Sequence, residues 1–284
     1  MQKVENFTPL ELERFKEVQR LAYECVQAVE KQLVEGMTEK QAAQLIKDYL
    51  DERSVDSYLH KPFAWFGDRT AFTGFWSDFH FFPTNRKLES GMPVILDVAP
   101  TVAGYTADIG YALSFGKPNP VLDQMRRTLL EIRSYILDAT LAEKTFKQVY
   151  QGVDQMISDA GFRNAHQVYP RRVLGHRVTK THTTFYDNVS LFGFSARQLQ
   201  WLIPGAIKGL ARSPSPLWND LKESDHPPLP GTWAIEPHLA SPDGQVGAKW
   251  EEILVITEST AYWLDDQVPH VQNLSKTALK TVAA

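Results

Sequence analysis

Pro93-Val94-Ile95-Leu96-Asp97-Val98-Ala99, with Asp108 eleven residues beyond Asp97 in Tyr105-Thr106-Ala107-Asp108-Ile109, is the stretch on which fold and chemistry turn. Val and Ile suit a pleated, half-buried surface, and Gly91 and Pro100 bracket the run, so it reads as a strand. A carboxylate inside such a run is costly unless it is paired or bound to a cation. A chain reversal centred between Val102 and Ala103 sets Asp97 opposite Asp108 on one face, with Cβ atoms ~5 Å apart. Two like charges at that distance repel, and a cation is the natural third party. A polar pair at a strand end, facing water, is the plain alternative.

A second hairpin repeats the arrangement. Trp233-Ala234-Ile235-Glu236-Pro237-His238 reads as a strand ending in a carboxylate, and Ala248-Lys249-Trp250-Glu251-Glu252-Ile253-Leu254-Val255-Ile256 as its partner. Asp243-Gly244 between them is a strong two-residue turn signal. Centring the hairpin there pairs Glu236 with Glu251, provided that no bulge shifts the ladder. Gly175-His176 lies in a β-prone, basic segment, where the His reads either as a metal ligand or as an ordinary surface residue. Two Asp, two Glu and one His are the ligand set for a pair of divalent cations, which bridging carboxylates hold roughly 3.5–4 Å apart. Oxygen-rich ligation with one imidazole suits manganese, cobalt, iron or zinc and does not choose among them; manganese is carried as the leading expectation.

The remainder reads as scaffold and pocket wall. A chain of 284 residues with one cysteine, Cys25, can bury a large core but excludes an internal disulfide or a multi-Cys zinc site. Cys25 falls on the apolar pattern of a helix, and a reducing cytoplasm fits best. The formal charge of -4 gives no nucleic-acid footprint, no apolar run is long enough for a membrane span, and the first residues lack a signal-peptide core. Thr8 with Glu11, and Thr38 with Gln41, cap two helices within 8–53. Two more helices are expected over 121–140 and 145–160, the second closed by Gly161. Two helices thus precede each hairpin, which hints at an internal duplication. Residues 58–85 are rich in aromatics, most of them core or pocket wall. His80, between Phe79 and Phe81, is either a satisfied core residue or a functional one. Residues 185–230, apolar and proline-rich, read as a lid or subunit-contact insertion in a single domain spanning 1–284.

With these residues in this order, the chain resembles the pita-bread metallopeptidase family, which includes methionine aminopeptidase, aminopeptidase P, prolidase and creatinase. The family's ordered pattern is Asp, a second Asp about eleven residues on, Gly-His, Glu-Pro, and a final Glu opening an apolar strand. Asp97, Asp108, Gly175-His176, Glu236-Pro237 and Glu251 match it. The resemblance implies an α+β fold: a curved, mostly antiparallel sheet with helices on its outer face and a pseudo-two-fold repeat. It implies two divalent metal ions, with Asp97 on one, Asp108 and Glu251 bridging, and His176 and Glu236 completing the other. It also implies that Glu236 moves a proton during catalysis. His80-Phe81, seventeen residues ahead of Asp97, is similar to a His-aromatic pair of the Xaa-Pro branch, which implies a contact from His80 to substrate. His182 is carried as the candidate for the family's second substrate-contacting His, although it stands six rather than seven residues after His176. Arg177 and Thr179 replace glycines of the pattern, and Gly110 stands where the family usually has Thr. The amino-terminal domain of the Xaa-Pro branch is expected to be absent, because the pattern begins close to residue 10.

The reading that follows is a dinuclear metal-dependent hydrolase, an aminopeptidase or Xaa-Pro-type peptidase acting on short peptides in the cytoplasm. A same-fold enzyme acting on a non-peptide small molecule comes second, and a non-catalytic peptide-binding module third. No nucleic-acid or membrane partner is expected. A homodimer is compatible with the 185–230 segment.

Overall fold

The computed structural model describes residues 7–181, 190–191, 194–195 and 215–272. Helix α1 spans Pro9–Glu30 and α2 spans Glu39–Asp51. Thr8 accepts a hydrogen bond from the backbone of Glu11, whose carboxylate reaches back to Thr8 N, and Thr38 with Gln41 closes the same reciprocal box. These boxes satisfy backbone donors that a helix start leaves orphaned. Helices α3 (Pro120–Leu141) and α4 (Phe146–Asp159) are capped by Asn119 and Thr145, and Gly161 follows α4 at a φ of +79°.

In the first half of the chain the strands are β1 (Ser57–Tyr58), β2 (Phe63–Phe66), β3 (Pro93–Val98), β4 (Pro100–Val102), β5 (Tyr105–Thr106) and β6 (Ile109–Ser114). In the second half they are β7 (Arg163–Asn164), β8 (Gly175–Val178), β9 (Ser190–Leu191), β10 (Phe194–Ser195), β11 (Leu217–Trp218), β12 (Gly231–Ile235), β13 (His238–Ala240), β14 (Gly247–Lys249), β15 (Glu252–Ile256) and β16 (Ala261–Trp263). All pairings among the described residues are antiparallel. The halves correspond. β3 lies between β2 and β6 while β4 lies between β1 and β5; β12 lies between β8 and β15 while β13 lies between β7 and β14. A helix pair precedes each set, so the duplication hinted at by the sequence is present in the topology. This is an α+β pita-bread fold.

Strand alternation then decides where the carboxylates point. Val94, Leu96 and Val98 pack with Ala22, Val26, Ile46 and Leu50 of α1 and α2, which leaves Asp97 on the opposite face with Ile95. In the second half Trp233, Ile235, Leu254 and Ile256 pack with α3 and α4, while Ala234 and Ile253 turn the other way, as Glu236 and Glu251 must. Helix α1 also holds the ladder end directly: the Tyr23 hydroxyl donates to the Glu251 carbonyl, and Ile253 N donates to Gln19.

One register differs from expectation. Asp97 pairs with Gly110, not with Asp108, because the turn is centred on Ala103-Gly104, both at positive φ. That is the signature of the tight turn whose twist matches a hairpin. The shift equals two residues, one full strand period, so Asp97 and Asp108 still share a face. In the second hairpin Ile235 pairs with Glu252 and His238 with Lys249, the register that sets Glu236 against Glu251. Leu217-Trp218, within the expected insertion, forms β11 at the sheet edge. There Trp218 stacks on Phe146 with ring centroids 3.9 Å apart. Apart from β9 and β10, the expected lid or contact segment up to 214 lies outside the described residues. No described helix is long and apolar enough to cross a membrane.

Candidate metal centre

Asp97 at the end of β3, Asp108 just before β6, His176 in β8, Glu236 after β12 and Glu251 just before β15 converge on one spot. All are nearly inaccessible, Glu251 at 1% exposure and His176 at 6%. His176 Nε2 lies 3.2 Å from Asp108 Oδ2 and 3.5 Å from Glu251 Oε1. Glu252 turns to the other face, where Arg133 grips its two oxygens at 2.7 and 3.0 Å. Alternation along the strand separates the two neighbours, and only Glu251 faces the cluster.

Two further residues complete the site. His60, in the loop ahead of β2, places Nε2 3.1 Å from Asp108 and 3.2 Å from Asp97. Its Nδ1 lies 2.8 Å from the Lys61 carbonyl, which fixes that nitrogen as the donor and turns Nε2 to the carboxylates. Lys249, at the end of β14, brings Nζ to 2.5 Å from Asp97, 2.8 Å from Glu251 and 3.1 Å from Glu236. Four carboxylates therefore meet two imidazoles and one ammonium.

The electrostatics follow from burial opposed by charge. Burial works against the charge on Asp108, but His60 and His176 outweigh it and hold the carboxyl below its usual range. Burial likewise disfavours charge on His176, yet the carboxylates of Asp108 and Glu251 beside its Nε2 push it up to about 10. Glu236 shows the reverse balance: burial raises its carboxyl to about 8, with Lys249 pulling down and Glu251 pushing up.

The residues fit a divalent cation. Asp108, His176 and Glu251 can each aim one ligand atom at a common point, and so can His60, Asp97 and Asp108. Asp97 Oδ1 and both oxygens of Glu251 are buried and accept no hydrogen bond, although charged groups stand nearby. Buried carboxylate oxygens without hydrogen bonds call for an explanation, and an ion is one.

The cluster forms the floor of a cavity whose walls include Phe63, Trp65, Phe81, Tyr169, Val173 and Leu217. Of the expected substrate-contacting residues, His80 does not join it. His80 sits in a short 3-10 turn, Asp78–Phe81, rather than on a strand, with Nδ1 2.8 Å from Ser77 Oγ and its ring against Trp76. Its neighbour Phe81 lines the cavity instead. His182 lies outside the described residues. Sequence reasoning did not single out His60 or Lys249. The signal for Lys249 was its place two residues before Glu251, the spacing of one strand face. For His60 it was only a His ahead of the aromatic strand, and the β2–β3 register that pairs Phe63 with Asp97 was needed to use it.

Known proteins resemble the chain in sequence and in fold. The sequence profile of metallopeptidase family M24 matches residues 13–258. An uncharacterized peptidase of Staphylococcus aureus is 24% identical over 177 residues, covering 62% of this chain and 48% of the relative. The chain thus spans about half the length of the curated relatives it matches. An X-Pro aminopeptidase from Thermotoga maritima superposes with a TM-score of 0.67 at 19% identity, over 93% of this chain and 62% of that one. A prolidase from Pyrococcus furiosus superposes with a TM-score of 0.65 at 19% identity, over 90% and 64%.

Proposed function

From the premise that the chain belongs to metallopeptidase family M24, we propose that it is a metal-dependent peptidase acting at the amino-terminal end of short peptides, of the aminopeptidase or Xaa-Pro type. The observation that carries this reading is the convergence of Asp97, Asp108, His176, Glu236 and Glu251 beneath an aromatic-walled cavity. Asp108, His176 and Glu251 would hold the metal, with Asp97 and Glu236 beside them. A divalent cation there supplies Lewis acidity towards a scissile carbonyl and lowers the pKa of water. Manganese is our choice of ion, since the donors are mostly oxygen with imidazole beside them. The similarity of fold to an X-Pro aminopeptidase and a prolidase supports the choice of substrate class.

The chain's own groups have definable tasks. Glu236, buried beside the cation site, is placed to take up a proton and deliver it from its carboxyl oxygen to a departing amine. Phe63, Trp65, Phe81 and Tyr169 exclude water and offer apolar surface to a side chain or a proline ring. The buried thiol of Cys25 is compatible with the cytoplasm, where we place the protein.

The test is a panel of Xaa-Pro and Met-Xaa dipeptides set against small non-peptide amides, with and without manganese. Peptide hydrolysis that vanishes on chelation and returns with metal is the expected result. Asp108→Ala should lower kcat/KM by more than the roughly 10–100-fold that loss of a ligand's hydrogen-bonding partner costs. Turnover of amides but not peptides would favour the non-peptide reading, and full peptidase activity in metal-free Asp108→Ala would end the proposal.

A further inference from the structure

Lys249 occupies ground that a two-metal centre needs. Its ammonium touches three of the four carboxylates: Asp97 at 2.5 Å, Glu251 at 2.8 Å and Glu236 at 3.1 Å. An ion shared by Asp97 and Glu251 has to lie between those two residues, and the ammonium is already there. Two positive centres at hydrogen-bond distance from the same oxygens repel strongly in a buried site.

The lysine is built into this position. It is 2% exposed, and its Nζ lies 5.2 Å from the centre of the Tyr169 ring. Its alkyl chain crosses the β3–β6 ladder at Gly110, the residue opposite Asp97. A Cβ on Gly110 would stand 2.8 Å from Lys249 Cε, 2.9 Å from Cδ and 3.0 Å from Cγ, so the glycine provides the channel through which the side chain reaches the cluster.

Asp108, His176 and Glu251 present ligand atoms within reach of one another, and among the described residues no lysine or arginine forms an ion pair with Asp108; the other such group, His60 with Asp97 and Asp108, depends on Asp97, which Lys249 already holds. We propose that this chain holds one divalent metal ion, at Asp108, His176 and Glu251, and that the Lys249 ammonium takes the place of the second cation between Asp97 and Glu251. The inference rests on the metal-dependent reading above and narrows it to a single-ion centre. Lys249 would serve as a positioning residue that keeps Asp97 and Glu236 compensated without a second ion.

The experiment is a count of bound metal. Chelator-treated full chain is titrated with manganese(II) by calorimetry, and after desalting the bound manganese per chain is measured by mass spectrometry. The wild type is expected to bind one ion. Lys249→Met, which keeps the apolar stem and removes the charge, is expected to bind twice as much. Gly110→Ala, which pushes the lysine stem aside without changing any charge, should move the count in the same direction. It also supplies the readout if Lys249→Met does not fold. Two ions in the wild type would overturn the inference and leave the metal-dependent reading standing. No ion in the wild type would overturn both. An unchanged count of one in folded Lys249→Met would overturn the inference, since the lysine would then not be what excludes the second ion.

Discussion

At the scale of single residues, burial decides reactivity. Cys25 is inaccessible on α1, its thiol 3.6 Å from the Ile46 carbonyl, and burial pushes it up to about 12. A thiolate is the reactive form, so a disulfide reagent at pH 8 should leave Cys25 untouched in the folded protein and modify it only after denaturation. Rapid labelling of the native protein would contradict this burial. The same shift makes stability depend on pH with a definite sign. The unfolded thiol ionises at its ordinary value while the folded one does not, so its contribution is complete below that value and is lost as pH rises towards about 12. Gly110 shows a departure from a family pattern acquiring a reason: any side chain there would meet the stem of Lys249.

At the scale of elements, Glu39 joins α2 to the segment that carries the cavity wall. Its carboxylate is fully buried at the start of the helix, where the helix dipole favours negative charge. It accepts from Arg69 Nε at 2.8 Å, Phe66 N at 2.9 Å, Thr84 N at 2.8 Å and Thr84 Oγ1 at 2.7 Å. Arg69 in turn donates to the carbonyls of His80 and Phe82, on either side of the wall residue Phe81. Glu39→Ala would strand a largely buried guanidinium and two backbone donors, and should cost about 3–5 kcal/mol, read as a lower urea midpoint with unchanged slope. A loss below about 1 kcal/mol would mean that the network relaxes around the change.

At the scale of the whole molecule, the two halves meet at the cluster, and a bound ion should stabilise both together. Binding to the folded chain alone adds about 2.7 kcal/mol at a metal concentration one hundred times Kd. With roughly 2–4 °C per kcal/mol for a chain near this size, manganese should raise Tm by about 5–10 °C over the chelated protein. Asp108→Ala should abolish that rise. A Tm insensitive to saturating manganese would count against a metal centre in this chain.

What the sequence by itself determined was what local signals encode. The caps at Thr8 and Thr38, the strand run around Asp97 and the Asp243-Gly244 turn each act within a few residues, so helix starts, strand faces and the Glu236–Glu251 register were legible. Even the misplaced first turn left Asp97 and Asp108 on one face, because strand side chains repeat every two residues and the error was two. Tertiary structure alone decided the rest. His60 joins Asp97 and Asp108 only because β2 pairs with β3 in one register, and no pattern near His60 states that register. His80 turns into a 3-10 segment under the hold of Ser77 and leaves the wall to Phe81. The ammonium of Lys249 comes to rest among the carboxylates because Gly110, distant in sequence and across the sheet, leaves room for its stem. Contacts between segments that pack only after the chain has folded depend on the positions of several strands at once, and short-range periodicity does not carry that information.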